Sequence, residues 1–251
     1  MAGRKLVVVS DLHVDRWQKE SKFEQFEDFL LYVRREAHTL VVNGDVLDLP
    51  PIEGEEVSAS SKRALLALLQ APLQGVRLVY VVGNHDIAFR GWPIDLRPFV
   101  RIVYPFEVVD LGGRRIRIEH GHYYDPLFNG GYDILAGIRK FLNYDVGKVA
   151  VDTWKAATRF LQRLAPETGR SAVGRADEPA IFGRWKDAAI RLKEAGFDLV
   201  LFGHIHSPKG PDDEPSFYVN TGDWVDHTTV TEVDESGRPT QFEWRERGYR
   251  S

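Results

Sequence analysis

The chain contains no cysteine, which excludes disulfide bonds and thiolate metal sites. It also has no apolar run of about eighteen residues, the length that a helix needs to span a bilayer. The first apolar run, residues 6–9, is too short for the core of a signal peptide. We therefore expect a cytoplasmic protein without a transmembrane segment, for which any membrane contact is peripheral.

The chain also lacks a strong charge of either sign. Its net charge is −4 over 251 residues, which gives no indication of a nucleic-acid-binding surface. Internal repeats and low-complexity tracts are absent as well. Apolar residues make up 43% and charged residues 28%, which is typical of a globular protein with a packed core. We expect a single domain over residues 1–251.

Four short apolar runs predict strands that are buried on both faces, because the runs are continuous. They are residues 6–9, 40–42, 78–82 and 199–202. Arg114–Glu119 instead alternates apolar and polar residues, which predicts a half-buried strand. Between the first runs, apolar residues repeat at helical spacing. They are Phe23, Phe26, Leu30 and Val33, and then the leucines at 65, 66, 68 and 69. Strands that alternate with helices predict an α/β fold.

The C-terminal part has β-rich segments at 217–219, 228–233 and 241–244, separated by turn residues. We expect these segments to form a second, mostly antiparallel sheet that packs on the first. From 123 to about 195 strand signals are absent, and apolar residues recur at helical spacing over 134–142 and 154–164. We predict a helical lid there, whose apolar faces are either core or a groove for a lipid chain.

Five polar clusters follow five of the predicted strands. They read D-L-H at 11–13, G-D at 44–45, G-N-H-D at 83–86, H-G-H at 120–122 and G-H-I-H at 203–206. Ligands of open α/β sheets bind at the carboxyl ends of the strands, so the clusters can converge on one crevice. Six of the eight histidines fall in these clusters. The glycines beside them allow sharp turns and a close approach of a phosphate.

The residue types in these clusters are those of a metal site. Carboxylate, imidazole and amide groups together suit manganese, iron or zinc. The candidate ligands are Asp11, His13, Asp45, Asn84, His120, His204 and His206. Seven ligands are too many for one ion, and they suit two ions that share a bridging carboxylate. Asp45 stands in the middle of the set. Asn220 and Asp223 are expected to stabilise a loop near this site.

The order of the five motifs resembles the calcineurin-like metallophosphoesterase superfamily, from residue 7 to about 226. The resemblance implies a four-layered α/β/β/α sandwich of two mixed sheets flanked by helices. It implies one metal ion on Asp11, His13, Asp45 and His206, and a second on Asp45, Asn84, His120 and His204. It also implies that His85 contacts the substrate phosphate or protonates the leaving group, and that Asp86 orients His85.

Residues 43–48 and 219–225 further resemble UDP-2,3-diacylglucosamine pyrophosphohydrolases, which cut a pyrophosphate bond in lipid A synthesis. Those enzymes carry a helical insertion where this chain has residues 123 to about 195. Two positions depart from that subfamily. His85 stands where many members have Arg, and His122 stands where they commonly have Asp. The general phosphodiesterase pattern therefore fits the active site better, and the lipid-specific pattern fits the insertion and the tail.

We therefore predict a dinuclear hydrolase that cleaves phosphodiester or pyrophosphate bonds by attack of a metal-bridging hydroxide. Two divalent transition-metal ions are expected, with Mn²⁺ favoured and Fe or Zn as alternatives. Asn84 and His85 are expected to bind a nucleotide- or lipid-linked phosphate ester. His122 either faces that substrate or satisfies local backbone groups. A phosphomonoesterase, including a protein phosphatase, stays open as an alternative. A non-catalytic scaffold of the same fold is disfavoured by the complete ligand set.

Overall fold

The computed structural model describes residues 5–17, 19–47, 59–91, 95–96, 99–125 and 178–244. The chain comprises two compact units, one of Met1–His122 with Ala188–Ser251 and the other of Tyr123–Asp187. The predicted insertion at 123–195 lies largely outside the described residues, as do its apolar stretches at 134–142 and 154–164. The single domain and the helical lid therefore stay predictions. Within the described ranges, no helix has the length and apolarity needed to cross a membrane.

Seven strands form the larger sheet. They are β1 (Lys5–Val9), β2 (Ala37–Asn43), β3 (Arg77–Val81), β4 (Asp95–Leu96), β5 (Val100–Val103), β10 (Thr229–Val233) and β11 (Pro239–Glu243). Their order is β11-β10-β1-β2-β3-β5-β4. The central neighbours β1, β2, β3 and β5 are parallel, and the outer pairs are antiparallel. The sheet is therefore mixed, with a parallel centre.

Four strands form the smaller sheet. They are β6 (Phe106–Leu111), β7 (Arg114–Glu119), β8 (Leu199–Phe202) and β9 (Tyr218–Asn220), in that order across the sheet. β6 pairs antiparallel with β7, whereas β7, β8 and β9 are parallel. Ile116 and Ile118 of β7 are both fully buried, which confirms the alternation predicted for this strand.

The helices are α1 (Glu20–Glu36), α2 (Ala59–Gln70) and α3 (Glu178–Glu194). Single 3₁₀ turns cover Val14–Arg16, Ala71–Gln74, Ile87–Gly91 and His122–Tyr124. α1 buries Phe23, Phe26 and Val33, as the helical spacing predicts. The helices flank the two sheets, so the predicted four-layered sandwich is confirmed.

Alternate residues of the central strands face two different cores, as strand geometry requires. Val7 of β1 and Leu40 of β2 pack in the core beneath α1 and α2. The neighbouring Val8 and Val41 pack in the core between the sheets, together with Ile118 of β7. Both faces of these strands are therefore buried, which is why their sequences are continuously apolar.

The expectation of a separate C-terminal antiparallel sheet was wrong. β9 lies parallel to β8 in the smaller sheet, and β10 lies antiparallel to β1 in the larger one. All five residues of β10 are buried, and β11 covers its outer edge. The sequence pattern identifies these segments as strands. Which strands they pair with depends on the path that the chain takes between them.

Candidate metal centre

The five polar clusters all follow strands at their carboxyl ends. Backbone hydrogen bonds join the loops in pairs: the amide of Asp11 donates to the carbonyl of Gly44 at 3.0 Å, and the amide of Gly203 donates to that of His120 at 3.0 Å. Asn43 links the two sheets, because its side-chain amide donates to the carbonyl of Glu119 at 3.0 Å. The two sheets thus present their clusters to one common site.

The first ligand group consists of Asp11, His13 and His206. One ligand atom from each lies within 4.8 Å of the others, and the three residues could hold a metal ion. Asp11 Oδ1 is 3.1 Å from His206 Nε2, and the Nε2 atoms of His13 and His206 are 3.3 Å apart. Two imidazole nitrogens that lie this close to each other can both donate their lone pairs to a single cation.

The second ligand group consists of Asp45, His120 and His204, whose ligand atoms also lie within 4.8 Å of one another. Asn84 joins them, because its Oδ1 is 3.0 Å from His120 Nε2 and 2.9 Å from His204 Nδ1. The Nδ1 of His120 is 2.9 Å from the carbonyl of Asn43, which can only accept a hydrogen bond. Nδ1 therefore carries the proton, and Nε2 is the nitrogen available for a metal.

The two groups are neighbours. Asp11 Oδ1 of the first group lies 4.0 Å from His120 Nε2 of the second. Asp11, His13, Asp45, Asn84 and His120 are buried, whereas His204 and His206 are partly exposed. The site thus has a buried floor and an open side, and its oxygen and nitrogen donors fit divalent transition metals.

The charges of the ligand groups compensate one another. Burial opposes ionisation of Asp11, but His120 and His206 outweigh it and lower the pKa of Asp11 to about 2. Burial likewise opposes the charge of His120, yet Asp45 and Asp11 raise the pKa of that imidazole to about 10. With this pKa the imidazole also holds a proton on Nε2, and it would have to release that proton before Nε2 could bind a metal ion.

The backbone at the ligands is unusual for L-residues. Positive φ angles occur at Asp11 (52°), His13 (41°), Asp45 (55°), His204 (75°) and His206 (53°). Such angles cost free energy and persist where the surrounding structure enforces them, as at functional sites. Five predicted ligands therefore share a strained backbone conformation.

Because Gly83 has no side chain, the carboxylate of Asp45 can lie directly against it. A Cβ atom at residue 83 would stand 2.1 Å from Asp45 Oδ1. We expect Gly83→Ala to displace Asp45 and to lower kcat/KM by about 10²-fold, since misplacement by about 1 Å can cost that much. Steady-state kinetics and metal analysis of the purified variant measure the effect.

Gly183→Ala is the control for this substitution. Gly183 lies in α3, and among the described residues no heavy atom outside its chain neighbours and the backbone of its own helix lies within 4 Å of a Cβ placed there. This variant should keep full activity and gain up to about 1 kcal/mol of stability, because alanine favours the helix. Full activity and normal metal content in Gly83→Ala would contradict the assigned position of Asp45.

The remaining predicted residues lie around the ligands. His85 Nε2 is 3.9 Å from Asp45 Oδ2, and the rings of His85 and His13 are 5.1 Å apart. The ring of His122 is buried 5.6 Å from that of His120 and 6.4 Å from that of His204. Burial, followed by the charges of His120 and His204, lowers the pKa of His122 to about 3, so this imidazole is neutral.

The segment 220–224 supports the ligand loops. Asn220 donates to the carbonyl of Gly203 at 2.9 Å, and the amide of Trp224 donates to the carbonyl of Asp11 at 3.1 Å. Asp223 accepts the amide of Asp226 at 2.6 Å, which fixes the loop that follows. The stabilising role expected for Asn220 and Asp223 is thus confirmed.

Sequence reasoning missed Ser10 and Tyr80. Ser10 donates to the carbonyl of Gly222 at 2.8 Å, and Tyr80 donates to Asp86. Neither residue type identifies a support of a metal site. The only signal in the sequence is that Ser10 immediately precedes the predicted ligand Asp11.

Comparison with known proteins agrees with this geometry. The family model of calcineurin-like phosphoesterases matches residues 4–208, so the chain belongs to that family. Members of this family are metal-dependent phosphoesterases, and the two groups of residues could hold the metal. No curated protein matches the chain in sequence.

Several solved structures are similar to the chain. An archaeal phosphodiesterase shares 13% identity at a TM-score of 0.47, over 95% of this chain and 99% of that one. A Streptococcus pneumoniae protein described as a predicted phosphoesterase shares 17% identity at a TM-score of 0.37, over 97% and 99%. Vacuolar protein sorting 29 from Cryptosporidium parvum shares 11% identity at a TM-score of 0.43, over 97% and 100%.

Proposed function

We propose that the chain hydrolyses phosphodiester or pyrophosphate bonds with two divalent transition-metal ions. The observation that carries this proposal is the pair of adjacent ligand groups on the buried floor of the site. Asp11, His13 and His206 would hold one ion, and His120, His204 and Asn84 the other, with Asp45 between them. When bound, such ions activate water and neutralise charge on the phosphoryl oxygens.

The protein groups around the ligands have separate roles in this proposal. Asn84 and the neutral His122 orient the phosphate beside the second ligand group. His85 lies on the partly exposed side and donates a proton to the departing oxygen, a contribution of about 10²–10⁴-fold. The partial exposure of His204, His206 and His85 leaves room for the substrate to enter.

The substrate is proposed to be nucleotide- or lipid-linked. The support comes from the sequence, where residues 43–48 and 219–225 resemble enzymes that cleave UDP-2,3-diacylglucosamine. The same proposal includes peripheral contact with the membrane that supplies a lipid-linked substrate.

A substrate panel after reconstitution with Mn²⁺, Fe²⁺ or Zn²⁺ tests the function. The panel contains bis-p-nitrophenyl phosphate, p-nitrophenyl phosphate, cyclic nucleotides and UDP-2,3-diacylglucosamine. We expect about two ions per chain, with Mn²⁺ the most effective, and kcat/KM highest for a diester or a pyrophosphate.

The other outcomes distinguish the alternatives. A clear preference for p-nitrophenyl phosphate would replace the proposal with a phosphomonoesterase. Bound metal with no hydrolysis of any substrate would favour a scaffold. One ion per chain after full reconstitution would contradict the dinuclear site.

A further inference from the structure

Asp86 is a fully buried carboxylate whose hydrogen bonds go to two loops. Its Oδ1 accepts the amide of Gly83 at 2.5 Å, and its Oδ2 accepts the amide of Val46 at 3.0 Å. Tyr80 donates its hydroxyl to the same Oδ2. Among the residues that the structure describes, these are the hydrogen-bond partners of the Asp86 carboxylate, and the imidazole of His85 is not one of them.

The two loops hold each other in both directions. Asp45 accepts the amide of His85 through Oδ1 at 2.9 Å, while Asp86 accepts the amide of Val46, the residue after Asp45. A carboxylate of each loop therefore accepts a hydrogen bond from a backbone amide of the other loop. Gly83 lies against Asp45 with no space for a side chain, so the loops have little freedom to slide.

Tyr80 anchors this arrangement to the larger sheet. It lies on β3, packs against the core beneath α1 and α2, and its ring meets that of Phe89 edge-on at 6.1 Å. Burial, together with the charge of Asp86, raises the pKa of Tyr80 well above its usual value. The phenol therefore keeps its proton and serves as a donor to Asp86 at all physiological pH values.

We propose that Asp86 and Tyr80 form a positioning pair that fixes Asp45 relative to Asn84, and that the pair thereby sets the affinity for metal. This inference rests on the proposed ligation of metal by Asp45 and Asn84. It gives Asp86 a different role from the orientation of His85 that the sequence motif implies. Ligand distances in metal sites vary by only about 0.2 Å, so a small shift of Asp45 weakens binding.

Tyr80→Phe tests the inference with the smallest change, and Asp86→Asn tests the carboxylate. Each apoprotein is titrated with Co²⁺ and followed by its absorption spectrum, and with Mn²⁺ followed by electron paramagnetic resonance. We expect both variants to bind metal about 10–100-fold more weakly than the wild type, the range found when a group that helps to orient metal ligands is removed. At saturating metal, kcat should fall by the same factor for good and poor leaving groups.

Tyr32→Phe is the matched control. Tyr32 also donates its hydroxyl to a carboxylate, that of Glu232, but it lies on α1 away from the ligand loops. Tyr32→Phe should lose about as much stability as Tyr80→Phe, as measured by thermal unfolding, but its metal affinity should be unchanged. It separates a general loss of stability from an effect on the site.

Normal metal affinity in Tyr80→Phe would overturn the inference. If the variants bind metal with normal affinity and kcat falls only for substrates with poor leaving groups, Asp86 acts through His85, as the motif implies. If the wild type binds metal but hydrolyses none of the substrates, the proposed function fails. The affinity comparison still tests the positioning pair in that case.

Discussion

Asp45→Ala should lose metal and activity together. Asp45 is the carboxylate that we propose for both ions, and its Oδ2 lies 3.1 Å from His120 Nε2 and 3.9 Å from His85 Nε2. Metal ions contribute several kcal/mol to phosphoryl transfer, so we expect kcat/KM to fall by about 10³-fold or more. Metal analysis and steady-state kinetics on bis-p-nitrophenyl phosphate measure the two losses.

Two comparisons make the Asp45 experiment specific. His206→Ala removes a ligand of the first group alone and should retain one ion, whereas Asp45→Ala should retain almost none. Asp110→Ala, an exposed carboxylate on β6, should keep both ions and full activity. Equal metal content in Asp45→Ala and His206→Ala would show that Asp45 serves one ion only.

His85→Ala should keep its metal ions and lose rate in a way that depends on the leaving group. The contact that holds Asp45 comes from the backbone amide of His85, at 2.9 Å from Oδ1, and alanine retains it. In the proposed mechanism the imidazole protonates the departing oxygen. We expect about 10²–10⁴-fold slower cleavage for alkyl leaving groups and less than about tenfold for p-nitrophenolate, which hardly needs a proton.

A series of diesters with leaving groups of increasing pKa measures this difference. The slope of log kcat/KM against leaving-group pKa should become steeper in His85→Ala and stay unchanged in His38→Ala, a control on an exposed histidine outside the motifs. Loss of one metal ion from His85→Ala would assign His85 to the ligands and not to proton transfer.

The sequence by itself determined the fold class and the ligand candidates. Buried strands need apolar residues on both faces, so the continuous apolar runs of β1, β2, β3 and β8 can be recognised as strands from the sequence. Ligands must be carboxylates, imidazoles or amides, so the polar residues after those strands were identified as well. Because these constraints act on residues that are close together in the chain, the sequence pattern is enough to identify the strands and the candidate ligands.

Only the tertiary structure decided which elements became neighbours. The assignment of β9 and β10 to different sheets depends on pairings between strands far apart in sequence. The strained backbone at Asp11 and Asp45 is imposed by the packing of one loop on another, and no local preference predicts it. Asp86 was expected to serve its sequence neighbour His85, but its buried oxygens accept the nearest amides, those of Val46 and Gly83, together with the hydroxyl of Tyr80. A buried carboxylate must find donors wherever the fold brings them, and this geometry decides the role that we propose for Asp86.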